Sequence, residues 1–273
     1  MPKLIAPIIA ICLMVLTPTA QAQYFKFDNL TPADISAGVP QQEVKAIVGF
    51  FGSLVGSGLY HTADLHSVGG FDVSLQGVVT SVPDDIELLP AFIDENRVGL
   101  AFLQASLGLP AKFELIGRFF YFPFGSDGDL NVSPPRASDS RGGLTLIGGG
   151  LKYGLLQLPG LPKITILGAY HALLTPEEFD FGTVSTFSFK GVISHSVPLL
   201  TVYVGAGIDI TTLKVNDSLP IAIPEIEGQR FTENDLQYTI GAKARVLPFV
   251  FANGSANFGD FNSFNLGLGI SLR

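Results

Sequence analysis

The chain has no tryptophan, one cysteine (Cys12) and two methionines (Met1 and Met14), so no sulfur lies beyond position 14. A disulfide, a thiol nucleophile and a cysteine metal site are therefore excluded from everything that follows. Charge is also scarce: Asp, Glu, Lys and Arg make up 15% of residues and the net charge is −8. A basic face for phosphate contacts cannot be assembled from that balance, which excludes nucleic acid as a partner. Long apolar runs are missing too. Beyond residue 22, no stretch approaches the ~20 apolar residues of a membrane helix. Yet hydrophobic residues are 47% of the chain and the mean hydropathy is +0.40. Apolar residues that are abundant but never contiguous are dispersed, as they are when strands alternate between a lipid face and a lumen face.

The first 22 residues are the exception. Lys3 supplies a positive start, Leu4 to Leu16 is almost unbroken apolar sequence, Thr17-Pro18-Thr19 ends it, and Ala20-Gln21-Ala22 is a small-x-small cleavage site. This is the pattern of a secretory signal peptide, too short to span a bilayer. A lipoprotein acylated at Cys12 is the competing reading. It is disfavoured because Ile11 precedes the cysteine and Cys12 lies inside the apolar stretch. The expected organisation is a signal peptide over 1–22, a helical segment over 23–68 and a barrel over 69–273. About 250 mature residues suffice for one large all-β domain.

The mature N-terminus has helical period. Thr31-Pro32-Ala33-Asp34 predicts a helix start, with a cap residue followed by proline. Val44, Ile47, Val48, Phe51, Leu54 and Val55 follow i, i+3, i+4 spacing until Gly56 and Gly58 interrupt it. Amphipathicity reports burial and not location, so two placements stand open: a cap on the periplasmic end of the barrel, or a plug in its lumen formed by Val44, Ile47, Val48, Phe51 and Leu54.

From Gly69 the period becomes two. Phe71, Val73, Leu75 and Val79 alternate with Asp72, Ser74, Gln76 and Thr80. Leu115, Phe119 and Tyr121 alternate with Glu114, Arg118 and Phe120. Val202, Val204 and Ile210 alternate with Tyr203, Gly205 and Asp209. Leu236, Tyr238 and Ile240 alternate with Gln237, Thr239 and Gly241. Phe264, Leu266 and Ile270 alternate with Asn265, Gly267 and Ser271. Each run has about ten residues, enough for a tilted strand to cross a bilayer. Ten strands are expected: 70–81, 97–107, 111–122, 142–155, 163–173, 183–195, 199–211, 235–246, 249–258 and 263–273. Eight and twelve are the neighbouring even counts, and Gly58 to Ala63 offers an additional wall segment. Short links at Gly108-Leu109-Pro110, Pro159-Gly160-Leu161-Pro162, Val197-Pro198 and Leu247-Pro248 alternate with long polar stretches at 83–96, 123–141, 175–182 and 214–234. Outer-membrane barrels sort their connections this way, with short turns in the periplasm and long loops outside. Phe119 to Phe122, Phe124 and Tyr170 cluster next to long loops, as an interfacial aromatic belt requires.

These features define the expected fold class: an all-β, antiparallel transmembrane β-barrel of about ten strands with a short N-terminal amphipathic helix. The layout, with Gly69-Gly70-Phe71-Asp72 opening the first strand and Phe264 to Leu272 closing the chain, resembles uncharacterised bacterial outer-membrane β-barrel families. It is loosely similar to outer-membrane fatty-acid transporters and porin-like proteins, whose closing strand usually ends on an aromatic residue where this chain has Leu272-Arg273. The resemblance implies outer-membrane lipid, lipopolysaccharide and the barrel-insertion machinery as partners, together with a small solute.

Catalytic chemistry finds little purchase. His195-Ser196 would place base and nucleophile on opposite faces of a strand. Asp84-Asp85 lacks an acid–histidine partner from a second outer loop. Asp127-Gly128-Asp129-Leu130-Asn131 lacks the glycine and distant glutamate of a calcium loop. No catalytic, metal or cofactor site is expected. The inward phase is more informative: Asp72, Glu114, Arg118, Lys190, Asp209, Lys243 and Arg245 all fall on it, as do the small Gly205, Gly207, Gly241, Gly267 and Gly269. Charges of both signs in a narrow barrel form ion pairs, and glycines leave room for a helix or a ligand. Three roles remain: a small porin-like or hydrophobic-solute barrel gated by the helix, a surface-interaction barrel with a closed lumen, and, least favoured, an outer-membrane hydrolase. Export makes the first prediction. N-terminal sequencing of the protein from an outer-membrane fraction should read from Gln23, and an intact Met1 or a lipidated Cys12 would contradict it.

Overall fold

A computed structural model describes residues 41–82, 97–123, 143–174, 182–215 and 228–272. The signal segment, the Thr31 helix start, Asp84-Asp85, Phe124 and Asp127 to Asn131 lie outside these residues. Strands β1 (Phe71–Ser81), β2 (Arg97–Leu109), β3 (Phe113–Pro123), β4 (Gly143–Leu156), β5 (Lys163–Leu174), β6 (Gly182–Val197), β7 (Leu200–Val215), β8 (Arg230–Leu247), β9 (Val250–Phe258) and β10 (Ser263–Leu272) follow one another in sequence. Each pairs antiparallel with its neighbours, and β1 pairs with β10 from Phe71↔Leu272 to Thr80↔Ser263, which closes the barrel. Closure satisfies every strand edge internally, the condition lipid imposes.

The expected ten strands are present, and their ends differ by a few residues. The largest differences are at the long-loop end, where β7 continues to Val215 and β8 begins at Arg230, so that both ends of the expected 214–234 loop are strand. The walls are thus unequal in height: β6, β7 and β8 have 16, 16 and 18 residues, whereas β9 and β10 have 9 and 10. One of the short turns needs special backbone at non-glycine residues. Ala111 and Lys112, in the three-residue link between β2 and β3, both adopt positive φ (59° and 64°), the signature of a mirror-image turn, here without the usual Asn-Gly. Register shifts at Gly154/Leu156 and Arg245/Leu247 bend β4 and β8 near the same end.

Outward positions on every strand are apolar and exposed: Leu75, Leu103, Leu115, Ile147, Tyr170, Phe187, Val204, Ile240, Phe258 and Ile270 among them. Exposure of this much apolar surface around a complete circumference is stable only in lipid. Inward positions on the same strands are buried. Within the belt, Tyr170 pairs with Phe187 and Tyr238 with Phe258, which places aromatic pairs on the outer wall. Helix α1 (Gln41–Gly56) is neither a cap nor part of the wall; it stands inside, against β6, β7 and β8. Residues 57–70 continue from it through the lumen to β1, so Gly58 to Ala63 do not form an additional wall segment.

Facing is directly testable. Val204 and Ile240 are 49% and 57% exposed on the outer surface and sit opposite each other across β7 and β8. Replacing either with Arg should cost about 2–4 kcal/mol near the bilayer midplane, read as a lowered urea midpoint for folding into vesicles.

Candidate functional site

The lumen and the segment that fills it are the candidate site. The outer half of the lumen, toward the long loops, is packed by apolar contacts. Val44 and Val48 meet Val215 and Phe231 on the tall wall. Phe50, Leu54 and Val55 meet Val78, Val98, Phe102, Leu146, Leu173 and Phe261. Phe50 and Phe261 pack edge to face with ring centres 5.7 Å apart. Lys45 pairs with Glu233 at 3.5 Å where the helix begins.

The helix approaches β7 closely because Gly52 and Gly56 face it. A Cβ at Gly52 would overlap Thr211, and one at Gly56 would overlap the Asp209 carboxylate. Of the expected plug residues, Val44, Val48 and Leu54 are buried, while Ile47 and Phe51 are half-buried; Phe50, not singled out from the sequence, is fully buried. The helix is enclosed on more than one side, so a single apolar stripe under-describes it.

Arg118 on β3 receives the helix end. Its Nη1 donates to the backbone carbonyls of Val55 and Ser57, both at 2.9 Å. Its Nε and Nη2 donate to Gln104 Oε1 at 3.2 and 2.8 Å, and the guanidinium lies 4.7 Å from the centre of the Phe102 ring. The last carbonyls of a helix have no partners within it and carry the negative end of its dipole; a guanidinium satisfies both. Beside it, Lys190 Nζ donates to Asp209 Oδ2 at 2.6 Å and to Gln237 Oε1 at 2.9 Å. Gln237 Nε2 in turn donates to Ser53 Oγ on the helix at 2.9 Å.

Below the helix the plug is extended, and its partners become polar. Leu59, Tyr60 and Ala63 still pack on Ile116, Leu167, Ala169, Val192 and Tyr203. His61 Nε2 lies 3.0 Å from Asp72 Oδ2, and its ring stacks on Phe251 at 5.0 Å. The carboxylate can only accept, so the ring donates to it from Nε2. Glu114 Oε2 accepts from the His66 backbone N–H at 2.8 Å and lies 2.9 Å from His66 Nδ1, while Oε1 accepts from Lys152 Nζ at 3.0 Å. Lys152 Nζ also donates to the Asp64 carbonyl at 2.9 Å, and the Asp64 carboxylate meets Lys163 at 2.7 Å.

Asp72, Glu114, Arg118, Lys190, Asp209 and Lys243 are all buried in the lumen. Arg245 is the exception to the expected inward set. It keeps the inward phase but is exposed, because it lies beyond the plug at the short-turn end, by the β8 bulge, and lines an open cleft of about 280 Å³ with Lys243 and Asp64. Sequence reasoning missed Lys152, Asp235 and His171 on the wall and His61, Asp64 and His66 on the plug. The expected glycine room is also redistributed. Only Gly205 yields its space to the plug, under Tyr60; Gly207, Gly241, Gly267 and Gly269 sit against Lys190, Tyr203, Gln76 and Ser74 of the wall itself. Among the described residues, no group of three His, Cys, Asp or Glu side chains is arranged to hold a metal.

Strands, belt and plug together define an outer-membrane type of transmembrane β-barrel closed from within by its own N-terminal segment. The chain belongs to a family of unknown function (DUF6588), which matches residues 86–272. No curated protein matches the chain. Among solved structures it is similar to the N-terminal β-barrel domain of Pseudomonas aeruginosa OprF (13% identity, 76% of this chain and 100% of that one, TM-score 0.34). It is similar also to the outer membrane protease OmpT from Escherichia coli (10% identity, 79% and 99%, TM-score 0.35) and to the Ralstonia pickettii toluene transporter TbuX (10% identity, 77% and 90%, TM-score 0.27).

Arg118 is the point to test. Arg118→Met removes four hydrogen bonds and leaves two buried carbonyls unpaired, so it should cost roughly 2–4 kcal/mol. The measurement is the urea midpoint of the barrel in vesicles, with Arg118→Lys expected to fall between the variant and wild type because an ammonium cannot reproduce the forked donor set.

Proposed function

We propose that the protein is a surface-interaction barrel of the outer membrane whose lumen is held closed by its N-terminal segment. Its short turns face the periplasm and its long loops face outward, the arrangement such barrels share. One observation carries this reading: residues 53–66 occupy the lumen and are hydrogen-bonded or packed to nearly every strand, through Phe261 and Ser263, Gln104, Arg118, Lys152, Ser194 and Gln237. A ten-stranded wall leaves little interior to begin with, and the plug takes what remains. Lipid and lipopolysaccharide are its expected surroundings, and no catalytic step is assigned to it.

A second reading, gated passage of a small hydrophobic solute, is favoured by the chemistry of the outer half. There Val98, Phe102, Leu146, Leu173 and the half-buried Phe120 face the helix with apolar surface. Contacts of that kind have no fixed geometry, and an apolar solute can replace them.

Planar-bilayer conductance separates these readings from an open pore. The wild-type barrel should be silent, and steady channel steps would remove the closed-lumen reading. Deleting residues 23–56 should leave conductance near zero, because His61 and His66 still tie the lower segment to Asp72 and Glu114. Deleting residues 23–66 should open a hydrated path lined by Glu114, Lys152 and Asp72.

A further inference from the structure

The direction in which the plug runs has a consequence for what the cell presents to its surroundings. At its C-terminal end the plug is tied to the barrel wall at the short-turn end: Gly69 N–H donates to the Gly108 carbonyl at 3.0 Å, Gly108 N–H donates to the Gly70 carbonyl at 2.8 Å, and Phe71 begins β1. At its N-terminal end, Val44 and Val48 pack on Val215 and Phe231, the residues at the long-loop ends of β7 and β8. The helix therefore descends from the long-loop end, and the chain enters the barrel there.

We infer that the plug is threaded through the barrel toward the cell exterior, so that the first turn of the helix, with Lys45, is presented at the outer face. This rests on the proposed orientation, with long loops outward. The plug then joins the wall on the periplasmic side, where Gly69 and Gly70 meet Gly108. Any signal that unseats the plug acts from the exterior, on Lys45 and Glu233 and the apolar contacts just below them. The first turn of the segment that closes the lumen is in this way accessible from outside the cell.

The test uses the wild-type chain and three of its own lysines. Lys45 begins the plug, with 48% of its side chain exposed. Lys214 is exposed at the long-loop end of β7, and Lys112 is exposed in the short β2–β3 turn. Intact cells are treated with a membrane-impermeant sulfonated N-hydroxysuccinimide ester, and each lysine is quantified by peptide mass spectrometry before and after permeabilisation. Threading requires Lys45 and Lys214 to react equally in both states, with Lys112 reacting only after permeabilisation. Lys214 reactive from outside but Lys45 reactive only after permeabilisation overturns the threading while leaving the orientation standing. Lys112 reactive from outside with Lys214 protected, or all three protected until permeabilisation, overturns the orientation and the inference with it.

Discussion

The guanidinium of Arg118 is the interaction on which the interior depends. A helix that ends halfway down a lumen must find partners outside itself for its last carbonyls, because burying them unpaired is costly. Arg118 meets the carbonyls of Val55 and Ser57 while Gln104 holds the other side of the fork. Because the helix can stop there, the chain can turn at Gly58, whose φ is +66°, and continue extended to β1. The same residue is a charge inside a membrane protein, and it is accommodated by backbone dipoles and an aromatic face without a directly bonded carboxylate.

The lumen is thereby divided into two kinds of material. Its outer half is a hydrophobic core like that of a soluble protein, with Phe50, Phe102 and Phe261 at its centre. Its inner half is a polar lattice in which Asp72, Glu114 and Asp64 each meet a plug or wall cation or imidazole. Apolar packing tolerates small displacements, whereas a buried ion-pair lattice loses several contacts at once when one member moves. The upper plug is held mainly by apolar packing, and the lower plug by ion pairs and hydrogen bonds.

Much of this was legible in the sequence wherever lipid imposes a period. Residues such as Leu115, Val204, Ile240 and Leu266 must point outward, so strand count, facing and most of the inward charges could be read from alternation alone. Lys152 escaped because Leu146 faces inward and Ile147 and Leu151 outward, and Gly148 to Gly150 separate them without side chains; apolar residues on both faces erase the period. His61, Asp64 and His66 escaped for a different reason. An extended segment surrounded on all sides has no face to alternate, and its partners are up to about 200 residues away in sequence, as with His66 and Ser271. The helix was visible, but whether it lay beneath the barrel or within it depends on Gly52 and Gly56 meeting Thr211 and Asp209, a fit that no local pattern encodes.

The unequal strands set the shape of the outer rim. Strand β8 has 18 residues and β10 has 10; at about 3.3 Å per residue the two walls differ in contour by ~25 Å before tilt. The rim is therefore cut obliquely, with a high parapet behind the helix at β6 to β8 and a low sill at the β9–β10 hairpin. The low side brings Phe261 down onto the Phe50 ring, whereas the tall side reaches the first turns of the helix, where Val44 and Val48 meet Val215 and Phe231. The barrel has a front and a back with respect to the plane of the membrane.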